Sequence, residues 1–134
     1  MLLSWEQEYS VGVSEIDKDH KFMIKLINDL YEATQDGCVG AALMPVFSAL
    51  KNYAETHFAK EERYMTECDA PNQEQHRQDH QRMVNKLNEL EARHRKGEAA
   101  ISLETLNFLR NWLKSHICGV DRAMAPYLRA KGLN

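Results

Sequence analysis

Five histidines and two carboxylates stand at positions from which they could bind metal. They are His20, His57 with Glu61, His76 with His80, and His116 with Asp121. Imidazole nitrogens and carboxylate oxygens are the donors that zinc and iron take from proteins. His57 and Glu61 are an i,i+4 pair, as are His76 and His80, so each pair shares one face of a helix. The stretch "HICGVD" breaks that rule, because its His116 and Asp121 are five positions apart. A regular helix would set them well over a third of a turn out of line. If the two act together, the fourth helix must end or kink near Gly119, a residue free to take φ > 0. Asp121 could then swing inward and also cap a final short helix.

A single histidine on an apolar stripe is usually a core residue with one hydrogen bond. A buried glutamate is different, because desolvating a carboxylate is costly unless a partner neutralises it. Seven such residues are hard to explain as independent packing choices, and a metal explains all of them at once. They are too many for one zinc ion, which prefers about four ligands. They fit two metals. With both carboxylates bridging and one oxo or hydroxo group added, the set supplies about eleven of the roughly twelve bonds that two octahedral ions take. That leaves one open position, suited to a small diatomic ligand. Such a site carries fewer carboxylates than the ferritin-like di-iron sites. Being less anionic, it should favour reversible electron transfer to oxygen over O–O cleavage.

Helices must deliver these residues. Glycine and proline number six and three and fall between periodic segments, which favours long helices. Residues 1–16 show no helical period and read as an extended arm. Helices are expected over about 17–37, 40–67, 71–97 and 102–118, with a short C-terminal segment over 121–131. Asp17 and Ser102 are the expected N-caps, Pro45 falls in the first turns of the second helix, and Pro71 opens the third. The fold class that follows is all-α: an antiparallel up-down four-helix bundle with an N-terminal arm and a short C-terminal helix, in one domain over 1–134. Because the chain reverses at each loop, His20, His57, His76, His80 and His116 come level toward one end.

The bulk properties exclude several classes. The chain has 134 residues, 43% hydrophobic and 28% charged, with a formal charge of −3. No basic face suggests nucleic acid, and no apolar run is long enough for membrane insertion. The opening "MLLSWEQEYS" lacks the features of a signal peptide. Cys38, Cys68 and Cys118 are odd in number with no CxxC pairing, so reduced thiols and a cytoplasmic location are expected. Cys118 reads as a small filler, and Cys38 and Cys68 as free thiols near helix ends. His94, about 21 Å along the third helix from His80, reads as a surface group favoured by the helix dipole. Glu62 reads as solvent-facing, and the tract "EARHRKGE" as a solvated face.

The chain resembles the haemerythrin family in its bacterial single-domain form. The residues that carry the likeness are "VGVSEIDKDH" ending at His20, "HFAKE" at 57–61, "HRQDH" at 76–80, "HICGVD" at 116–121, Trp5 and the run "NWLKSHI". The resemblance implies a di-iron centre, with one iron on His76, His80 and His116 and the other on His20 and His57. Glu61 and Asp121 would bridge them together with an oxo or hydroxo group. It implies reversible dioxygen binding, end-on at the open iron as hydroperoxide, by a non-enzymatic carrier, store or local supplier. Phe22, Met23, Ile24, Phe58, Trp112 and Leu113 are candidates to wall the oxygen pocket. Met83 stands where the family often has an aromatic, so altered pocket packing is expected. The alternatives are a di-iron enzyme reducing peroxide or nitric oxide, or an oxygen-sensing, iron-sensing or iron-handling protein. An oxygen-consuming protein partner would fit the supplier role.

Overall fold

The computed structural model describes residues 1–97 and 101–134; of Gly40 and Ala41 only the backbone is described. Glu98, the last residue of the charged tract, lies outside the described residues. The elements are α1 (Ser14–Gln35), α2 (Met44–Glu67), α3 (Gln73–Arg95), α4 (Leu103–His116) and α5 (Arg122–Ala130), with short 3₁₀ turns at Gln7–Tyr9 and Gly40–Leu43. Between α4 and α5 the backbone runs without a break through a π-helical turn, Ile117–Asp121. The first four helices form the antiparallel up-down bundle, and none of the described helices is long and apolar enough to cross a membrane.

Several helix starts differ from the sequence expectation, each for a local reason. α1 begins at Ser14, so Asp17 is not its cap. The Asp17 carboxylate instead accepts hydrogen bonds from the Val11 amide, at 2.9 Å, and the Ser10 hydroxyl. It thereby ties the arm to the first turn. α2 is preceded by a 3₁₀ turn, and Pro45 falls in its first turn, where no intrahelical donor is lost. α3 begins at Gln73 rather than Pro71, because Asn72 holds a left-handed φ of 61° that no helix continues through. Ser102 is the N-cap of α4 as expected, its hydroxyl accepting from the Thr105 amide at 3.1 Å. Such a cap contributes about 1 kcal/mol.

The arm is part of the core. Leu3, Tyr9, Val11 and Val13 are buried. Asn28 on α1 accepts from the Leu2 and Leu3 amides at 2.9 and 3.0 Å and donates to the Leu3 carbonyl at 2.7 Å. Arg122 and Arg129, on α5, donate to the Glu8 and Val11 carbonyls. At the end of the bundle away from the histidines, Leu30, Phe47, Leu90 and Leu106 fill the centre, each at most 2% exposed. Each such side chain contributes roughly 1.5–3 kcal/mol on burial.

His94 belongs to this apolar end. It is only 2% exposed, with its ring 6.3 Å from that of Phe47, which corrects the surface reading. Met83, Leu87, Leu90 and His94 follow one another at helical steps on one stripe of α3, and all are buried. The tract "EARHRKGE" therefore does not form a uniformly solvated face.

Candidate metal centre

All seven chemistry-bearing residues converge. His20, His57, Glu61, His76, His80, His116 and Asp121 are each at most 2% exposed. Their side-chain atoms fall into two groups that could each hold a metal ion. Glu61, His76, His80, His116 and Asp121 form one; His20, His57, Glu61 and Asp121 form the other. Within each group the donor atoms lie within 4.8 Å of one another. Both carboxylates belong to both groups, which is the arrangement a bridged pair of ions requires. Three imidazoles face one position and two face the other.

The π-helical turn is what brings Asp121 in. Its i→i+5 repeat replaces the i→i+4 repeat of the α-helix, so residues five apart come onto one face. His116 is the last residue of α4 and Asp121 closes the turn. The expected break at Gly119 does not occur, and Gly119 is not among the described residues with positive φ. Asp121 makes no side-chain capping bond to α5. The irregularity is thus a wider helical turn rather than a helix end, and the Asp121 carboxylate is left wholly for the interior. Cys118, on the outer side of this turn, is exposed and so is not the small filler expected; Cys68 is buried at the end of α2 and Cys38 is half-buried, all three as free thiols.

The donor set fits a metal pair on an observation of its own. His20 Nε2, His57 Nε2, His76 Nε2, Glu61 Oε2 and both Asp121 carboxylate oxygens are buried without an acceptable hydrogen bond. They are nevertheless crowded together. Asp121 Oδ2 is 2.9 Å from His20 Nε2, Asp121 Oδ1 is 2.9 Å from His76 Nε2, and Glu61 Oε2 is 3.4 Å from His57 Nε2. Buried polar atoms are almost always paired. Here their lone pairs point at shared space instead of at each other, and cations at those points would satisfy them together.

The electrostatics describe the metal-free cluster. Burial alone would lower the His57 pKa, but the Glu61 carboxylate and Asp19 outweigh it and hold it at about 10. Burial is likewise overcome at His116, raised well above its ordinary value by Asp121 and Asp79, and at His76, raised by Asp121 and Glu61. Burial would raise Glu61 and Asp121, yet the surrounding imidazoles hold both carboxyls below the usual range. Without metal, imidazolium charge compensates the carboxylates.

Three carboxylates of this site were not singled out from the sequence. Asp19, Glu62 and Asp79 reach the outer nitrogens of His57, His80 and His116. Glu62 is 32% exposed and so partly meets the solvent-facing expectation, but its carboxylate turns back to His80. The available signal was adjacency: each of the three directly precedes or follows an inward residue, as in the two "DH" dipeptides.

Beside the cluster lies an apolar cavity of about 20 Å³. Met23, Phe58, Trp112 and Leu113 line it as expected, and Met83 lines it in place of an aromatic. Ile27, Leu50, Ala54, Leu87 and Leu109 complete the wall. Two expected wall residues are elsewhere. Phe22 is 42% exposed and packs on Tyr53 with ring centroids 4.6 Å apart. Ile24 is buried but faces the arm beside Leu3 and Trp5. Phe22 lies off the inward stripe, and Ile24 lies on the edge of it that meets the arm. Phe58 stacks on His80 and Trp112 stacks on His116, each pair at 12° between planes. These two rings link the cavity wall to the cluster.

A bundle of four helices with a buried, carboxylate-sharing histidine cluster defines the class of non-haem proteins that bind a metal pair. The chain belongs to the haemerythrin family. The family profile described as "Hemerythrin HHE cation binding domain" matches residues 11–128, and that domain binds a di-iron centre. The chain is 33% identical over 129 residues to a bacteriohemerythrin of Stenotrophomonas maltophilia, covering 96% of this chain and 83% of that protein. It is 29% identical over 133 residues to a bacteriohemerythrin of Methylococcus capsulatus, covering 96% of this chain and 98% of that one. A crystal structure of wild-type hemerythrin superposes with a TM-score of 0.89 at 28% identity, covering 96% of this chain and 98% of the other.

Proposed function

We propose that the chain binds dioxygen reversibly at a di-iron centre and acts as a non-enzymatic carrier, store or local supplier. His76, His80 and His116 would hold one iron, His20 and His57 the other, and Glu61 and Asp121 would bridge them. The chemistry an iron pair supplies there is a reversible two-electron exchange with dioxygen.

The observation that carries this reading is the pairing of two carboxylate-sharing donor groups with a cavity whose lining has no ionisable side chain. A volume of about 20 Å³ is of the order that one water-sized molecule needs, and without polar partners water gains little by entering. Phe58, Trp112, Leu113 and Met23 therefore keep the approach dry and admit a small apolar gas. No side-chain acid or base lines that cavity, so the chain supplies none there to protonate a reduced oxygen species and drive it onward. Carrier and enzyme would share every metal ligand, and it is the dry apolar character of the cavity that favours binding here. The bundle's own polar machinery is spent on holding the metal ligands. A cytoplasmic setting would suit the free thiols of Cys38, Cys68 and Cys118.

The test is spectroscopic. The protein is loaded anaerobically with ferrous iron, air is admitted, and oxygen is then removed while the visible spectrum is recorded. A band that appears with oxygen and vanishes on its removal, over repeated cycles, is the expected result. Conversion within seconds to a ferric form that does not return, or steady consumption of added peroxide or nitric oxide, would replace this reading with the enzymatic one.

A further inference from the structure

The outer nitrogens of three of the five clustered histidines donate to carboxylates from neighbouring helices. His57 Nδ1 lies 2.9 Å from Asp19 Oδ2, His80 Nδ1 lies 3.1 Å from Glu62 Oε2, and His116 Nδ1 lies 2.6 Å from Asp79 Oδ2. The pattern runs around the bundle in one direction. A residue of α1 serves α2, one of α2 serves α3, and one of α3 serves α4. Each carboxylate also has a cation on its outer side. Lys60 lies 2.6 Å from Asp19, Arg77 is 3.4 Å from Glu62, and Arg82 is 3.2 Å from Asp79. Asp19 accepts in addition from the Tyr53 hydroxyl at 2.8 Å. The remaining two histidines differ. His20 Nδ1 is buried without a hydrogen bond, and His76 Nδ1 donates to no carboxylate among the described residues.

We propose that Asp19, Glu62 and Asp79 are positioning residues that act on separate metal positions. Asp19 governs the position faced by His20 and His57. Glu62 and Asp79 jointly govern the position faced by His76, His80 and His116. The proposal rests on the metal-site reading above. Its physical basis is the tautomer of imidazole. A carboxylate that accepts the Nδ1 proton leaves the Nε2 lone pair free, fixes the ring plane and makes the ligand a stronger donor. The outer cations and the Tyr53 hydroxyl stop the carboxylates from swinging into solvent. The hold is firmest at Asp19, because Lys60 is largely buried, whereas Arg77 and Arg82 are exposed and free to separate from Glu62 and Asp79. Asp19, only 7% exposed, is held from three sides.

The experiment follows iron release from the fully loaded ferrous protein into excess chelator, in absence of oxygen. The variants are Asp19→Asn, Glu62→Gln and Asp79→Asn, which keep side-chain size and an acceptor oxygen but lose the charge. Loss of such a partner typically weakens metal binding about 10–100-fold. Asp19→Asn is expected to speed one of the two irons by that order and leave the other slow. Asp79→Asn and Glu62→Gln are each expected to do the same to a single iron. The double variants decide the assignment. Asp19→Asn with Asp79→Asn should release both irons fast, whereas Glu62→Gln with Asp79→Asn should still release only one fast. The reduction potential of the loosened position should rise as well, because it has lost nearby negative charge. Release rates like those of the unmodified protein in folded variants would overturn the proposal. So would equal acceleration of both irons by every variant, the mark of general loosening. A variant that failed to fold would leave the other two to decide. An unmodified protein that took up far fewer than two irons would instead defeat the metal-site reading itself.

Discussion

Each histidine of the cluster has a ring nitrogen aimed at shared space, and removing one takes away a donor atom without relieving the two central carboxylates. His76 is the clearest case. Its Nε2 faces Asp121 Oδ1 at 2.9 Å and Glu61 Oε1 at 3.7 Å, and nothing else in the fold needs that nitrogen. His76→Ala should therefore bind clearly less than two irons by metal analysis, while its far-UV circular dichroism stays helical. Two irons at unmodified occupancy would show the ligand set to be wrong. The inward residues were legible in the sequence because helical period and i,i+4 spacing place them on the apolar stripes without any tertiary knowledge. Asp19, Glu62 and Asp79 were not. Each sits one residue off a stripe, about 100° around its helix, at the rim between two helices. Whether a rim carboxylate faces water or a neighbour's imidazole depends on how the helices are rotated, and no periodicity in one strand of sequence records that.

At the scale of elements, the π-helical turn Ile117–Asp121 is the part of the fold that the site depends on most. The five-residue step in "HICGVD" signalled an irregularity, and the step itself equals the π repeat. The sequence reading placed the irregularity in a left-handed Gly119 because glycine is the residue that usually ends helices. The structure makes the two accounts separable by mutation. A Cβ added at Gly119 would meet nothing within 4 Å, and its φ is not positive. Gly119→Ala should thus be neutral or stabilising by roughly 0.5–1 kcal/mol, as for glycine within a helix. A left-handed Gly119 would make the same change destabilising, which thermal or urea unfolding would reveal. Deleting Gly119 is the complementary test. It shortens the His116–Asp121 step to the ordinary i+4, which an α-helical turn also carries on one face, so α5 need not rotate. The Arg122 and Arg129 bonds to the arm and the burial of Met124, Ala125 and Leu128 favour that closure. The expected outcome is retained helicity with both irons still bound, and loss of iron by metal analysis would mean that the wide turn itself, rather than the shared face, sets the place of Asp121.

For the molecule as a whole, metal and protons compete for one set of buried groups, and stability reports the competition. In the metal-free chain the His57 pKa is held at about 10, above the roughly 6.5 of an unfolded histidine. The stabilisation from its imidazolium is fully present below about pH 6.5 and is lost as pH rises toward the folded value. His76 and His116 are raised as well and act in the same sense. The metal-free protein should therefore melt at progressively lower temperature from pH 6.5 to 8.5. Iron needs the neutral imidazoles, so loading releases protons and tightens with pH over the same range. At free ferrous iron about 100 times Kd, binding to the folded state adds about 2.7 kcal/mol, which for a chain of this size raises the melting temperature by on the order of 10 °C. The gap between loaded and metal-free melting temperatures should then widen as pH rises. Anaerobic calorimetry at matched pH measures both curves, and proton uptake by the buffer on loading gives an independent count. A gap that stayed constant or narrowed with pH would mean that the histidines are already neutral in the empty bundle. The carboxylates Glu61 and Asp121 would then have to be neutralised by some other means than the imidazolium charge that the fold has gathered around them.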